Sequence, residues 1–160
     1  MKDIFIDADI ANTFANTTEE CKVDLINWLL NDDNAFLVVT NALRGEYLGG
    51  NENCDKEFSI SHIYLVLMGM ERINPISNQQ IKDFQKKHFI WNEITCKRKG
   101  SHDPDHIAAI LLSERKFAIV KDGKFHNDLL NFHPKKKIKG RAITVVNCPS
   151  KIDFKENEAA

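Results

Sequence analysis

Four acidic residues occupy positions that suit metal-assisted chemistry. Asp7 and Asp122 each follow a short apolar run, while Glu46 and Asp105 lie in helical patterns. The four are separated along the chain by 39, 59 and 17 residues. In open α/β sheets, ligands bind outside the carboxyl ends of the strands, so these acids are expected to meet at one edge of a sheet.

A cluster of this kind favours a divalent metal ion. Carboxylates that lie together raise one another's pKa unless a positive charge compensates them. Mg²⁺ or Mn²⁺ supplies that charge and prefers hard oxygen ligands. Such metals polarise a phosphoryl oxygen and lower the pKa of bound water, which suits hydrolysis of a phosphodiester. The candidate catalytic and metal-binding residues are therefore Asp7, Glu46, Asp105 and Asp122.

Short strands and helices must position these acids. Apolar runs without polar alternation, typical of parallel strands covered on both faces, predict strands over residues 3–6, 35–39, 117–120 and 142–146. Thr17 with Glu20, and Ser77 with Gln80, have the spacing of capping boxes that begin helices, the second running to about residue 86. Further helices are predicted over residues 41–48, 62–70 and 124–130. Residues 62–70 are nearly all apolar, a pattern that a strand would also show, but a buried helix is preferred.

This alternation predicts an α/β fold, a three-layer α/β/α sandwich around a central, mostly parallel sheet of four or five strands. The chain has 160 residues, of which 42% are hydrophobic, enough for one core. We expect a single domain over residues 1–154 and a flexible tail over residues 155–160. The net charge of −1 predicts no partner by itself, so any argument for nucleic acid must be local.

The four cysteines form no CxxC pair, which argues against a zinc ribbon or a thioredoxin-like motif. We expect reduced and mostly buried thiols of a cytoplasmic protein. No apolar run approaches the roughly 18 residues that a membrane span needs, so no membrane partner is expected.

Three segments resemble the PIN-domain nuclease family. IFIDADI is similar to the family's first strand and acid, VVTNALRGEYL to its second segment, and DPDHIAAILLSERKFAIVKD to its third and fourth segments. The matching acids are Asp7, Glu46, Asp105 and Asp122. The resemblance implies a PIN-like fold and a Mg²⁺- or Mn²⁺-dependent endoribonuclease with RNA as its substrate. Lys121 departs from the family, in which a small hydroxyl residue is commoner at that position.

Five further residues are candidates for an accessory role: Asp9, Asp103, Asp128, Lys121 and His106. Asp103 before Pro104 also has the sequence of a plain N-cap, with the proline at the first helical position. Asp128 equally has the pattern of a helix surface acid, and Lys121 is a candidate phosphate ligand. His106 lies four residues after His102, the spacing of a shared zinc site, but no third ligand is suggested nearby. His106 is then a packing residue or a support for a metal ligand.

Two basic runs are candidate RNA contacts, because an acidic site needs positive charge nearby to hold a phosphate backbone. They comprise Lys97, Arg98 and Lys99, and then Lys135, Lys136, Lys137, Lys139 and Arg141. Charge runs are also common on plain solvated surfaces. Besides RNA, the candidate partners are an antitoxin protein and a second copy of the chain.

Two other functions stay open. The motif DAD after an apolar strand also resembles the start of haloacid-dehalogenase-like phosphatases, with Asp7 as nucleophile, Asp9 as acid/base and Thr40 as phosphate binder. In that case Asp122 with Asp128 would carry Mg²⁺. The third alternative is a catalytically silent PIN-like module for RNA binding or assembly. If the protein is a nuclease, its role is that of a toxin in a toxin–antitoxin pair or of an RNA-processing enzyme.

Overall fold

A computed structural model gives the fold and describes residues 1–49, 58–121, 123–151 and 153–155. Asp122, one of the four candidate acids, and residues 156–160 of the predicted tail therefore lie outside the described residues. The strands are β1 (Lys2–Ile6), β2 (Ala35–Val39), β3 (Ile73–Pro75), β4 (Phe117–Ile119) and β5 (Thr144–Val146).

These strands form one parallel sheet in the order β3-β2-β1-β4-β5. In the register of β1, Ile4 lies opposite Leu37 of β2, and Phe5 lies opposite Ala118 of β4. Along the chain, β2 and β3 lie on one side of β1, and β4 and β5 lie on the other side. β1 and β4 therefore flank the point where the strand order reverses, which is where open α/β sheets bind ligands.

The helices pack in two groups. They are α1 (Ala8–Ala11), α2 (Glu20–Asn31), α3 (Asn41–Gly49), α4 (Ile60–Gly69), α5 (Asn78–His88), α6 (Asp103–Leu112) and α7 (Lys124–Leu130). α4 contacts α2 and α3, whereas α6 contacts α5 and α7. In the first group α2 and α4 also pack on β2, and in the second group α6 does. The predicted three-layer α/β/α fold with a parallel sheet is confirmed.

Two predicted helix starts have different outcomes. The capping box of Ser77 and Gln80 is confirmed, since each residue's side chain accepts a hydrogen bond from the other's backbone N–H, at 3.1 and 2.8 Å. The capping box of Thr17 and Glu20 is wrong. α2 begins at Glu20, with Glu19 at the N-cap position, and the Thr17 hydroxyl accepts from the Glu19 N–H in the preceding turn.

A buried acid fixes the amino end of β1. The Asp3 carboxylate is fully buried and accepts hydrogen bonds from the backbone N–H groups of Glu114 and Arg115, both at 2.8 Å, and from the Asn74 side chain at 2.7 Å. These bonds join β1 to β3 and to the turn that precedes β4. Asp3 therefore stabilises the sheet at the edge opposite Asp7.

The described C-terminal segment ends at Lys155, the first residue of the predicted flexible tail. Its Nζ lies 2.9 Å from Asp24 Oδ1, and its carbonyl accepts a hydrogen bond from Lys2 at 3.1 Å. The flexible tail over residues 155–160 stays a prediction. Within the described ranges, no helix has both the length and the apolar character needed to cross a membrane.

Candidate functional site

An open cavity of about 410 Å³ lies at the carboxyl ends of β1 and β4. Among the described residues, four acids and four basic side chains line it: Asp7, Asp9, Glu46 and Asp103 with Lys97, Arg98, Lys121 and Lys124. Thr95, Cys96, Gly123 and Phe125 also belong to this described lining. When these groups are ionised, four negative charges face four positive charges. Groups suited to a cation therefore adjoin groups suited to an anion.

Asp7 occupies the N-cap position of α1, yet its side chain makes no capping hydrogen bond. Its backbone N–H donates to the Ile119 carbonyl at 2.9 Å, which extends the pairing of β1 with β4, and its carboxylate accepts a hydrogen bond from the Lys121 N–H. Burial raises the pKa of Asp7, and the charge of Asp9 raises it further, while His106 and the Lys121 N–H oppose this. An ionised carboxylate is thus held here at an energetic cost, as is common at functional sites.

Glu46 lies beside a buried histidine. Its Oε1 is 3.1 Å from Nε2 of His106, which is 1% exposed, and this hydrogen bond lowers the pKa of Glu46. The His106 ring packs against Phe5 and Phe125, with centroids 5.3 and 6.1 Å away. Among the described residues its Nδ1 has no hydrogen-bond partner, so a proton on Nε2, donated to Glu46, leaves no buried donor unsatisfied. His106 therefore orients the Glu46 carboxylate through this hydrogen bond and is not among the residues that line the cavity.

The next residue, Tyr47, anchors α3 to the end of β1. Its buried hydroxyl donates to the Ile6 carbonyl at 2.5 Å, and its own carbonyl accepts from the Ser61 hydroxyl at 2.7 Å. These bonds keep Glu46 at the same sheet edge as Asp7.

Of the two acids that begin α6, only Asp103 lines the cavity. α6 starts at Asp103 itself, with His102 at the N-cap position, so the predicted N-cap role of Asp103 is wrong. Burial raises the pKa of Asp103, and His106 opposes that shift. Asp105 instead accepts a hydrogen bond from the Gln85 side chain of α5 at 2.8 Å. Residues two apart lie about 200° around a helix axis, so the two carboxylates face different ways.

Asp128 holds the loop that carries two of the basic residues. This buried acid of α7 accepts hydrogen bonds from the backbone N–H of Thr95 at 2.9 Å, from its hydroxyl at 2.7 Å and from the Cys96 N–H at 2.8 Å. The next two residues, Lys97 and Arg98, line the cavity. Asp128 therefore acts through the position of this loop, and the alternative of a surface acid is wrong.

The second predicted basic run lies elsewhere. The backbone N–H of Lys135 donates to the His88 carbonyl at 2.8 Å, which ties the run to the end of α5. The Arg141 guanidinium lies 5.6 Å from the ring centroid of Phe117, at the amino end of β4 and thus away from the cavity. The described cavity lining includes neither this run nor Lys99.

Sequence reasoning missed the residues that follow β4. Lys124 and Phe125 line the cavity, and the rule that placed Asp122 at this edge applies equally to them. Gly123 has φ of 143°, a backbone region that residues with a Cβ rarely adopt. An added Cβ would meet none of the described atoms beyond its chain neighbours within 4 Å, so conformation and not space favours the glycine. Asp122 itself lies outside the described residues, between the cavity-lining Lys121 and Gly123.

The carboxylates of the cavity are oxygen donors of the kind that divalent cations bind. In the described part of the chain, no three His, Cys, Asp or Glu side chains form a ready metal site, and Asp105 is directed at Gln85. The cavity does hold four carboxylates, the hard donors that these ions prefer. Burial and like charge raise the pKa of Asp7 and Asp103, an imbalance that a divalent cation offsets.

Comparison of the chain with protein-family models, curated proteins and solved structures finds no match. The site's own geometry combines a position at the reversal of strand order with a set of acidic groups and a set of basic groups.

Proposed function

We propose that the protein is a divalent-metal-dependent endoribonuclease that hydrolyses RNA phosphodiester bonds. One observation carries the proposal: four carboxylates and four basic side chains share one open cavity at the point where the strand order reverses. Carboxylates suit a hard divalent cation, and basic groups suit the phosphates of a nucleic acid. Together they suit metal-assisted attack of water on phosphorus.

The proposed metal-binding residues are Asp7, Glu46, Asp103 and Asp122, with Asp9 as an accessory acid. Asp103 takes the place that the sequence assigned to Asp105, because it is Asp103 that lines the cavity. Bound Mg²⁺ or Mn²⁺ would lower the pKa of water and offset negative charge on the phosphoryl oxygens. The protein's part is positioning: the end of β1 holds Asp7, and His106 holds Glu46.

The basic residues of the cavity are the proposed RNA contacts. Lys97 and Arg98 approach on the loop fixed by Asp128, while Lys121 and Lys124 follow β4. They would bind backbone phosphates beside the scissile bond and offset the charge that develops there. Since the whole chain carries a net charge of −1, attraction of RNA would depend on these local groups.

The resemblance of three segments to the PIN domain supports the same activity. It assigns catalytic acids to the ends of two strands, and those strands, β1 and β4, border the cavity. We propose a cytoplasmic role, either as the toxin of a toxin–antitoxin pair, bound by its antitoxin, or as an RNA-processing enzyme. A small neighbouring gene for a DNA-binding protein would favour the toxin.

The phosphatase alternative has less support. The Thr40 hydroxyl accepts a hydrogen bond from the Leu43 N–H at 3.0 Å, and Thr40 is only 2% exposed, so it begins α3 instead of binding phosphate. Asp128, the other expected Mg²⁺ ligand, already accepts three hydrogen bonds from Thr95 and Cys96.

A catalytically silent RNA-binding module is the second candidate, favoured by one specific observation. The described carboxylates do not form a ready three-ligand metal site. Such a module would use the four basic residues of the cavity to bind RNA and would leave it intact.

An RNA cleavage assay separates these functions. We expect the purified full chain to cut labelled single-stranded RNA internally with Mg²⁺ or Mn²⁺, and EDTA to stop the reaction. Asp7→Asn, with an unchanged circular dichroism spectrum, is expected to lower the rate by roughly 100-fold or more. Binding without cleavage would favour the silent module, and an acid-labile phospho-aspartate on Asp7 would favour the phosphatase. Full activity of Asp7→Asn would contradict the nuclease assignment.

A further inference from the structure

Two thiols lie side by side outside the cavity. Cys21 is the second residue of α2, and Cys148 follows β5 just before a short 3-10 helix (Pro149–Lys151). Their side chains hydrogen-bond to each other. Both cysteines are partly exposed, whereas Cys96 is buried. Because more than a hundred residues separate Cys21 from Cys148, the fold alone brings them together.

The segment that follows Cys148 is held along the same helix. Beyond the thiol pair, the Phe154 ring packs on Trp28, with centroids 5.2 Å apart, and Lys155 Nζ lies 2.9 Å from Asp24 Oδ1. Cys21, Asp24 and Trp28 are spaced by three and four residues, so they share one face of α2. These contacts keep the two sulfur atoms together independently of any bond between them.

Small solutes can reach the thiol pair. An open cavity of about 430 Å³ borders it and is lined by Cys21 together with Ser150 and Phe154. The Cys148 sulfur also lies 3.1 Å from the Ser150 hydroxyl at this surface. Because both cysteines are partly exposed beside this cavity, an oxidant as small as a peroxide can approach the pair.

We propose that Cys21 and Cys148 are a redox site, at which a peroxide converts the two thiols into an intramolecular disulfide. One sulfur attacks the peroxide, the O–O bond breaks, and a sulfenic acid and one water form when hydrogen peroxide is the oxidant. The second sulfur then attacks the sulfenic sulfur and releases the second water. Two electrons and two protons leave the thiols, and one S–S bond forms. This site does not depend on the proposed nuclease activity.

The bond is expected to form slowly and to stabilise the fold. Burial and the neighbouring Cys148 raise the pKa of the Cys21 thiol, which limits the reactive thiolate at neutral pH. Oxidation by millimolar peroxide is therefore expected over minutes to hours. Closure of so long a loop is expected to raise the Tm by about 10 °C, with the C-terminal segment fastened to α2.

The test compares the full chain with single cysteine variants. Each protein is treated with hydrogen peroxide under anaerobic, metal-free conditions, and its free thiols are counted with a chromogenic reagent. We expect the wild type, which has four cysteines, to lose two thiols and to yield a linked peptide of Cys21 and Cys148 by mass spectrometry. Cys54→Ser is the matched control and should behave like the wild type, whereas Cys21→Ser and Cys148→Ser should form no such peptide.

Thermal unfolding supplies a second readout. The Tm of the oxidised wild type and of oxidised Cys54→Ser should rise and then return to its starting value with dithiothreitol. Cys21→Ser should show no reversible rise. Linked peptides that join only Cys54 or Cys96, dimers cross-linked between chains, or sulfinic acid on Cys21 without a linked peptide would each overturn the proposal.

Discussion

Asp103 and Asp105 show how strongly the surroundings of one residue decide its role. Both are acids in the first turn of α6, yet Asp103 lines the cavity and Asp105 accepts a hydrogen bond from Gln85. His106 follows Asp103 by three residues, so the two share a face of the helix, and His106 contacts Glu46. Asp103 is thus on the side of α6 that carries the site.

This difference predicts unequal effects on RNA cleavage for two substitutions in the first turn of α6. Asp103→Asn is expected to lower the rate of metal-dependent RNA cleavage by roughly 100-fold, because it removes a charged oxygen donor from the cavity. Asp105→Asn is the matched control and should stay within about 3-fold of the wild type, since an amide oxygen still accepts from Gln85. Single-turnover cleavage measures both. A larger loss of cleavage rate in Asp105→Asn than in Asp103→Asn would instead favour Asp105 as the metal-binding residue.

The ionised carboxylate of Asp7 is predicted to destabilise the folded protein. A carboxyl whose pKa is raised in the fold binds its proton more tightly there than in the unfolded chain, so its ionisation opposes folding. That cost is absent below the ordinary pKa of 3.8 and complete once the pH exceeds the raised value. Asp7→Asn is therefore expected to raise the free energy of unfolding at pH 7 by on the order of 1 kcal/mol.

Urea denaturation across a pH series measures this effect. The gain from Asp7→Asn should disappear as the pH falls below 3.8. The exposed Asp33 offers a control, since Asp33→Asn should change stability little at any pH. A loss of stability in Asp7→Asn at pH 7 would show that the carboxylate is a structural group.

At the scale of elements, α7 and the loop before α6 act as one unit through Asp128. Asp128→Ala would leave the N–H groups of Thr95 and Cys96 without their acceptor, which is expected to cost about 2–4 kcal/mol of stability. A displaced loop would also weaken RNA binding by roughly 10-fold through Lys97 and Arg98.

Steady-state kinetics distinguish this positioning role from a direct one. In Asp128→Ala, KM for RNA should rise while kcat changes by less than about 3-fold. Asn127→Ala changes an exposed neighbour on α7 and should leave both parameters unchanged. A collapse of kcat comparable to that of Asp7→Asn would instead make Asp128 a residue of the metal site.

The sequence predicts those elements whose local signals agree with their packing. The helix over residues 124–130 and the start at Ser77 are confirmed, because a regular apolar face or a reciprocal cap is enough to define them. β3 was missed because three residues that include Pro75 carry almost no strand signal. Proline is tolerated there because β3 lies at the edge of the sheet. Pairing with β2 stabilises this strand, although its own sequence does not favour one.

For the whole molecule, strand order explains why distant residues meet. Asp7 and Glu46 were correctly expected at one sheet edge, because they follow neighbouring strands whose carboxyl ends coincide. The choice of Asp103 over Asp105, and the position of the second basic run, depend on helix rotation and on long-range packing that no local pattern contains. The thiol pair of Cys21 and Cys148 is equally a product of tertiary structure.

The two ends of β1 have different roles. Its amino end stabilises the fold, and its carboxyl end contributes to the proposed chemistry. Asp3 at the amino end accepts three hydrogen bonds and is fully buried, so its charge is compensated within the fold. Asp7 at the carboxyl end makes no capping bond and lies among like charges. Asp7 therefore carries its charge beside other acids, where a divalent cation would stabilise it.

Direct measurement of Mn²⁺ binding tests this central claim. Free Mn²⁺ is followed by electron paramagnetic resonance during titration of the wild type, Asp7→Asn, Asp103→Asn and Asp105→Asn. We expect the wild type and Asp105→Asn to bind with the same Kd, and Asp7→Asn and Asp103→Asn to bind at least about 10-fold more weakly. Equal affinity in all four proteins, or no binding by the wild type at millimolar Mn²⁺, would contradict a metal site in this cavity.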